Sequence, residues 1–178
     1  MKTTEKDNKT RQIVLGGLFA ALTCVSTMMI RIPTLKGYIH FGDGLVITCG
    51  IILGAFTGGL AAGLGSMLAD ILGGYFVFSA ATLIIKTISG FSAGFVFKKL
   101  SKKDGLIHLK VLLSGLVAET IMVAGYFSFE IFYEGTAAAI AEIIPNCIQG
   151  ISGIVISVLI VPVLLRSGVQ SIRSSSLK

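Results

Sequence analysis

The sequence predicts an all-α polytopic membrane protein with about six transmembrane helices and both termini in the cytoplasm. Three observations carry that expectation. Hydrophobic residues make up 53% of the 178, and 22 glycines add to them, against roughly 45–50% apolar content, glycine included, in soluble domains. Charged residues are only 13%, where about 25% is usual. The apolar residues also fall into six runs with short connections, and a crossing takes about 20 residues. No acidic tract or Cys/His cluster suggests an interaction tail or a zinc module.

Span one runs from about Ile13 to Ile30 and ends at Met28-Met29-Ile30-Arg31. It lacks a small-x-small cleavage site, so it is expected to be a retained helix rather than a signal peptide. Spans two (Gly44 to Phe56) and three (Gly58 to Gly73) are short, with a hinge expected at Thr57-Gly58-Gly59. Span four covers Ser79 to Phe97, span five about Leu109 to Tyr133, and span six about Ile143 to Leu165. The chain thus reads as one membrane domain over 1–178: a basic cytoplasmic segment (1–11), a six-helix bundle (12–166) and a cytoplasmic tail (167–178).

The net charge of +6 is explained by topology rather than by nucleic acid. Lys2, Lys6, Lys9 and Arg11 precede span one. Lys98, Lys99, Lys102, Lys103 and Lys110 surround the connection between spans four and five, and Arg166, Arg173 and Lys178 follow span six. Six crossings put these segments on one side, with only Arg31 and Lys36 opposite, and the positive-inside rule makes that side cytoplasmic.

With each span's direction assigned, the costly polar groups gather in the outer half. His40 and Asp43 close the first loop, Asp70 lies near the outer end of span three, and Lys86 sits about two turns inside span four. Glu119 is nearer mid-membrane on span five, followed outward by Tyr126 and Glu130, while Asn146 and Gln149 occupy the outer turns of span six. Glu119, Val123, Tyr126 and Glu130 share one helical stripe, and Asn146, Gln149, Gly150, Gly153 and Ser157 share another. Ser79, Thr82, Lys86, Ser89, Gly90 and Ala93 give span four a comparable face. A charge at the bilayer centre costs about 2.5–3.5 kcal/mol on insertion scales, so Lys86 and Glu119 need partners or a wet cavity.

Each residue also has a structural reading. Lys86 with Asp70 or Glu119 makes an ion pair, Tyr126 fits an interfacial belt, His40 a solvated loop, and Asn146 and Gln149 interhelical hydrogen bonds. A binding pocket explains their convergence in one layer better. Gly59, Ala62, Gly63, Ser66 and Ala69 on span three have small-xxx-small spacing suited to internal packing. Gly16, Gly17, Ala20 and Ala21 give span one a similar face, open equally to internal packing or to another membrane protein. Cys24, Cys49 and Cys147 form no CxxC pair, and no GxxxxGK[ST] or HExxH motif occurs. A binding cavity without an engine suggests a transport subunit; the competing reading is a small membrane enzyme using Asp70, Lys86 and Glu119 as acid-base groups.

Four segments resemble the substrate-binding S components of energy-coupling factor (ECF) vitamin transporters. They are Gly37-Tyr38-Ile39-His40-Phe41-Gly42-Asp43, Gly65-Ser66-Met67-Leu68-Ala69-Asp70-Ile71-Leu72-Gly73-Gly74-Tyr75, Thr82-Leu83-Ile84-Ile85-Lys86 and Pro145-Asn146-Cys147-Ile148-Gln149-Gly150. Within that family the chain looks most like the branch associated with hydroxymethylpyrimidine and pyridoxine-type vitamins. The resemblance implies a non-enzymatic subunit of a bacterial plasma-membrane importer, partnered by a transmembrane coupling subunit and two cytoplasmic ATPases. ATP would be used by those partners, with no cofactor or metal in this chain. The family's AxxxA docking face maps onto Gly17-xxx-Ala21 or Gly16-xxx-Ala20, glycine standing for the first alanine in either register.

Overall fold

A computed structural model describes residues 2–29, 31–34, 38–102 and 105–167, with side chains described from Lys9 onward. Lys36, Gly37, Lys103, Arg173, Lys178 and the tail beyond Ser167 lie outside the described residues, as do the side chains of Lys2 and Lys6. In chain order the elements are α1 (Lys2–Met29), β1 (Arg31–Pro33), β2 (Tyr38–His40), α2 (Asp43–Leu53), α3 (Ala55–Gly73), α4 (Phe76–Leu100), α5 (Ile107–Tyr133) and α6 (Thr136–Arg166). All six expected helices are present. Five are long and apolar enough to cross a membrane; α2, with 11 residues, rises only about 16 Å, roughly half the hydrocarbon thickness.

The surface of the bundle is that of a protein seated in lipid. On α3, Leu60, Leu64, Leu68 and Leu72 are exposed at every fourth position, and Ile144, Ile148, Ile151, Val155 and Leu159 form a similar exposed stripe on α6 at steps of three or four. α2 is the opposite case, because nine of its 11 residues are buried and it packs against α1, α3, α4 and α6. An apolar helix without a polar face belongs in the interior. Val46, Ile47, Cys49, Ile51 and Ile52 accordingly form the centre of the core with Ala62, Ala93, Val111, Ala118 and Val161.

Small residues let the other helices close around it. A Cβ added at Gly59 or Gly63 of α3 would come within 2.7 Å of the Thr87 or Leu83 carbonyl oxygen of α4, so the small face of α3 serves internal packing. The hinge expected at Thr57-Gly58-Gly59 lies instead at Gly54, whose φ of 89° and ψ of 163° break the helix between α2 and α3. Gly58 is already helical, its N–H bonded to the Gly54 carbonyl at 2.8 Å. Its missing side chain makes room for the Cys49 backbone, so the glycine pair marks close packing, not flexibility.

The segment expected as a plain loop forms a short antiparallel hairpin, with Arg31 opposite His40, Ile32 opposite Ile39 and Pro33 opposite Tyr38. The alternation of helices brings this hairpin, the α3–α4 turn and the α5–α6 turn to one end of the bundle. The basic residues Lys98, Lys99 and Lys102 fall at the other end, with Arg166.

Candidate functional site

A polar cavity opens at the hairpin end. The hairpin contributes Thr34, Tyr38, Ile39 and His40; α3 contributes Asp70; Tyr75, Phe78 and Thr82 come from the α3–α4 turn and α4. α5 adds Tyr126 and Glu130, and α6 adds Glu142, Pro145, Asn146 and Gln149. The space between them is about 490 Å³ with the open solvent of the mouth included, and about 50 Å³ of it can hold the centre of a water molecule.

Local sequence explains how each wall is held. α3 ends at Gly74, which takes the left-handed conformation (φ 84°) and lets its own N–H reach Ile71 O at 3.2 Å and Tyr75 N–H reach Asp70 O at 2.8 Å. This glycine-dependent stop is common at helix ends, and here it places the Tyr75 ring 4.6 Å from that of Tyr38. Tyr38 donates its hydroxyl to Asp70 Oδ1 at 2.7 Å. Burial and the adjacent Asp70 charge push its pKa far above the ordinary tyrosine value, so it stays a donor. The Arg31 guanidinium lies over the Tyr38 ring, 4.7 Å from its centre, and donates to Ala69 O at 3.0 Å. Thr82 Oγ1 and Tyr126 Oη are 2.9 Å apart. On α6, Glu142, Pro145, Asn146 and Gln149 sit at i, i+3, i+4 and i+7 and so share one face. Pro145 removes one helical N–H from that same face.

Beneath the cavity a buried network joins four elements. His40 N–H donates to Gln149 Oε1 at 3.1 Å, and Gln149 Nε2 donates to Asp43 Oδ2 at 2.9 Å. Asp43 Oδ1 pairs with Lys86, and both side chains are fully buried. His40 Nδ1 accepts the Gly42 N–H at 3.0 Å, which places the proton of the neutral ring on Nε2. Burial lowers the His40 pKa to about 4, with Lys86 and Arg31 adding to the effect and Asp43 opposing it.

Of the nine residues singled out as ligand groups, His40, Asp70, Tyr126, Glu130, Asn146 and Gln149 line the cavity; Asp43, Lys86 and Glu119 do not. Lys86 pairs with Asp43, not with Asp70 or Glu119, because α2 rather than α3 or α5 delivers a carboxylate to its tip. Glu119 is buried against α6: a Cβ at Gly150 would stand 3.2 Å from its Oε2. Neither of its oxygens has a hydrogen-bond partner, and it borders a mostly apolar groove between α5 and α6. Glu119 nevertheless lies close enough to the Asp43–Lys86 pair to feel both charges, so of the set Asp70, Lys86 and Glu119 only Asp70 stands apart, in the cavity wall. His40 is buried rather than solvated.

Tyr38, Tyr75, Phe78, Thr82 and Glu142 belong to the cavity without having been chosen. Thr82 was visible on the polar face of span four. Glu142 continues the Asn146 and Gln149 stripe by one turn, but it preceded the expected start of span six at Ile143. On α1, Gly17 and Ala21 are exposed, while Gly16 and Ala20 are partly covered toward α3, so the two possible docking registers face different ways.

Residues 7–166 match the family model described as ECF-type riboflavin transporter, S component. A Pyrococcus woesei chain described as "Uncharacterized protein in gap 3'region" is 38% identical over 134 residues, which is 74% of this chain and 86% of that one.

Proposed function

Because the chain belongs to the ECF-type riboflavin transporter S component family, a family of membrane substrate-binding subunits rather than of enzymes, we propose that its hairpin-end cavity captures a small heteroaromatic vitamin or vitamin precursor outside the cell. The hydroxymethylpyrimidine and pyridoxine type is the reading adopted here, with the flavin named by the family description tested beside it. The observation that carries the proposal is the placement of the cavity at the end of the bundle away from Lys98, Lys99, Lys102 and Arg166, since the basic end of a membrane protein faces the cytoplasm.

Delivery inward would be driven by a transmembrane coupling subunit and two cytoplasmic ATPases that use the ATP, in the plasma membrane of a bacterium. The exposed Gly17 and Ala21, beside a groove floored by Gly16 and Ala20 and walled by Phe56, Leu60 and Leu64, offer the close approach that helix docking in lipid requires. This chain would bind ligand without nucleotide. The test is mass spectrometry of small molecules carried through purification, followed by calorimetry against hydroxymethylpyrimidine, pyridoxine, thiamine and riboflavin in the absence of ATP. One molecule bound per chain is expected; a folded protein that binds none of them overturns the proposal.

A further inference from the structure

Resting on that binding role, the contacts of Arg31 single out a residue outside the cavity that shapes its wall. Arg31 is the first residue of β1 and is not among the cavity's lining residues. Its guanidinium is nevertheless closely held. It donates to the Ala69 carbonyl at 3.0 Å, near the C-terminal end of α3, the end of a helix that favours a cation. It also rests against Gly73, where an added Cβ would stand 2.4 Å from Nη1 and 2.7 Å from Nη2. Gly73 is a helical residue and not one of the glycines with positive φ. Its backbone gives no reason for glycine; the guanidinium does.

What this seat holds is one ring of the cavity wall. Arg31 lies over the Tyr38 ring, and Tyr38 lines the space together with Tyr75 and His40. The ring centres of those two are 4.6 Å and 5.4 Å from that of Tyr38. The hydroxyl bond to Asp70 fixes the tip of the Tyr38 ring but leaves its plane free to turn about the axis from Cβ to Oη. A flat guanidinium over the ring fixes the plane, which a lysine, a point charge on a flexible stem, would not. Aromatic contacts depend on the relative orientation of the rings, so the plane matters to whatever flat group enters.

We propose that Arg31 is a positioning residue for the ligand: seated against Gly73, it sets the plane of the Tyr38 ring on which a flat heteroaromatic ligand stacks.

The test uses the full-length protein in detergent and calorimetry against pyridoxine, hydroxymethylpyrimidine, thiamine and riboflavin, following the probe that the native protein binds most tightly. Gly73→Ala displaces the guanidinium without altering Arg31, Tyr38 or any lining residue. The displaced atoms end a flexible side chain, and alanine favours a helix more than glycine does, so this variant is expected to fold and to melt close to the native protein. Its affinity for the probe is expected to fall about fivefold or more, the worth of one aromatic stack. Arg31→Ala should lose as much, and adding Gly73→Ala to it should change nothing further, because no guanidinium is left to displace. Arg31→Lys, which keeps the charge but not the flat group, should weaken binding likewise. A folded Gly73→Ala that binds like the native protein overturns the proposal, as does a double variant in which the two losses add. A lysine variant equal to the native protein also overturns it, whether or not Gly73→Ala folds. Each of these results leaves the binding role standing, whereas a native protein that binds none of the four probes removes both.

Discussion

The Asp43–Lys86 pair is the most exacting contact in the interior, because neither side chain meets solvent or lipid. Removing one partner leaves the other as an uncompensated buried charge, a loss of about 3–5 kcal/mol. Lys86→Met is therefore expected to lower the melting temperature in detergent sharply, and Lys86→Met with Asp43→Asn to recover part of the loss; a double variant no better than the single would show that the pair is not coupled. His40 adds a pH dependence whose sign follows from its environment. Its pKa falls from about 6.5 in the unfolded chain to about 4 in the fold. The neutral ring thus favours folding above pH ~6.5, and this contribution, up to about 3 kcal/mol, drains away as pH falls from 6.5 toward 4. A stability profile over that range in the native protein and in His40→Asn, which keeps an acceptor for the Gly42 N–H, should show the native curve falling more steeply.

Among the elements, Gly54 and Gly74 are two of the four described glycines with positive φ, and they join or end helices in conformations that other residues resist. Gly54 combines φ 89° with ψ 163°, a region used almost only by glycine, whereas Gly74 (φ 84°, ψ 8°) sits in the left-handed helical region. Gly54→Ala should cost about 1–3 kcal/mol and Gly74→Ala about 1–2 kcal/mol, although a Cβ at Gly74 meets no neighbour within 4 Å. Equal melting temperatures for the two variants and the native protein would refute this. On α1, Gly17 has nothing within 4 Å of an added Cβ, whereas one at Gly65 of α3 would stand 2.9 Å from Thr23 Cβ. Gly17→Leu and Ala21→Leu should therefore leave ligand affinity of the isolated chain unchanged and abolish uptake by vesicles holding the whole complex; Gly65→Leu should damage the fold itself. The helices were legible in the sequence because each is an apolar run, and their ends moved by at most three residues except at two starts, where α1 begins 11 residues before Ile13 and α6 seven before Ile143. The hairpin was not, since three-residue strands containing Pro33 carry no periodic signal. Nor was the partner of Lys86: Asp43 lies 43 residues away, and only the central position of α2 brings the two together. Six cavity residues were legible as polar interruptions in apolar runs, while Phe78 looked like any other lipid-facing aromatic.

For the whole molecule, the separation of the carboxylate-rich cavity from the basic end makes orientation measurable. In a Cys147→Ser background, Glu134→Cys is expected to react with a membrane-impermeant maleimide on intact cells, and Lys102→Cys only after permeabilisation; the reverse pattern would turn the bundle over. The burial of α2 reaches further, into how the chain is made. Its first residue, Asp43, is held by Lys86 and Gln149, which lie 43 and 106 residues further along. At about 16 Å the helix cannot hold a transmembrane position alone, and until α4 and α6 have been synthesised its leading carboxylate has no counter-charge and no amide. Insertion therefore cannot proceed strictly helix by helix from the ribosome. α2 must wait near the membrane surface or within the insertion machinery for these partners, and in a nascent chain stalled after α5 its leading carboxylate still lacks the Gln149 amide of the finished fold.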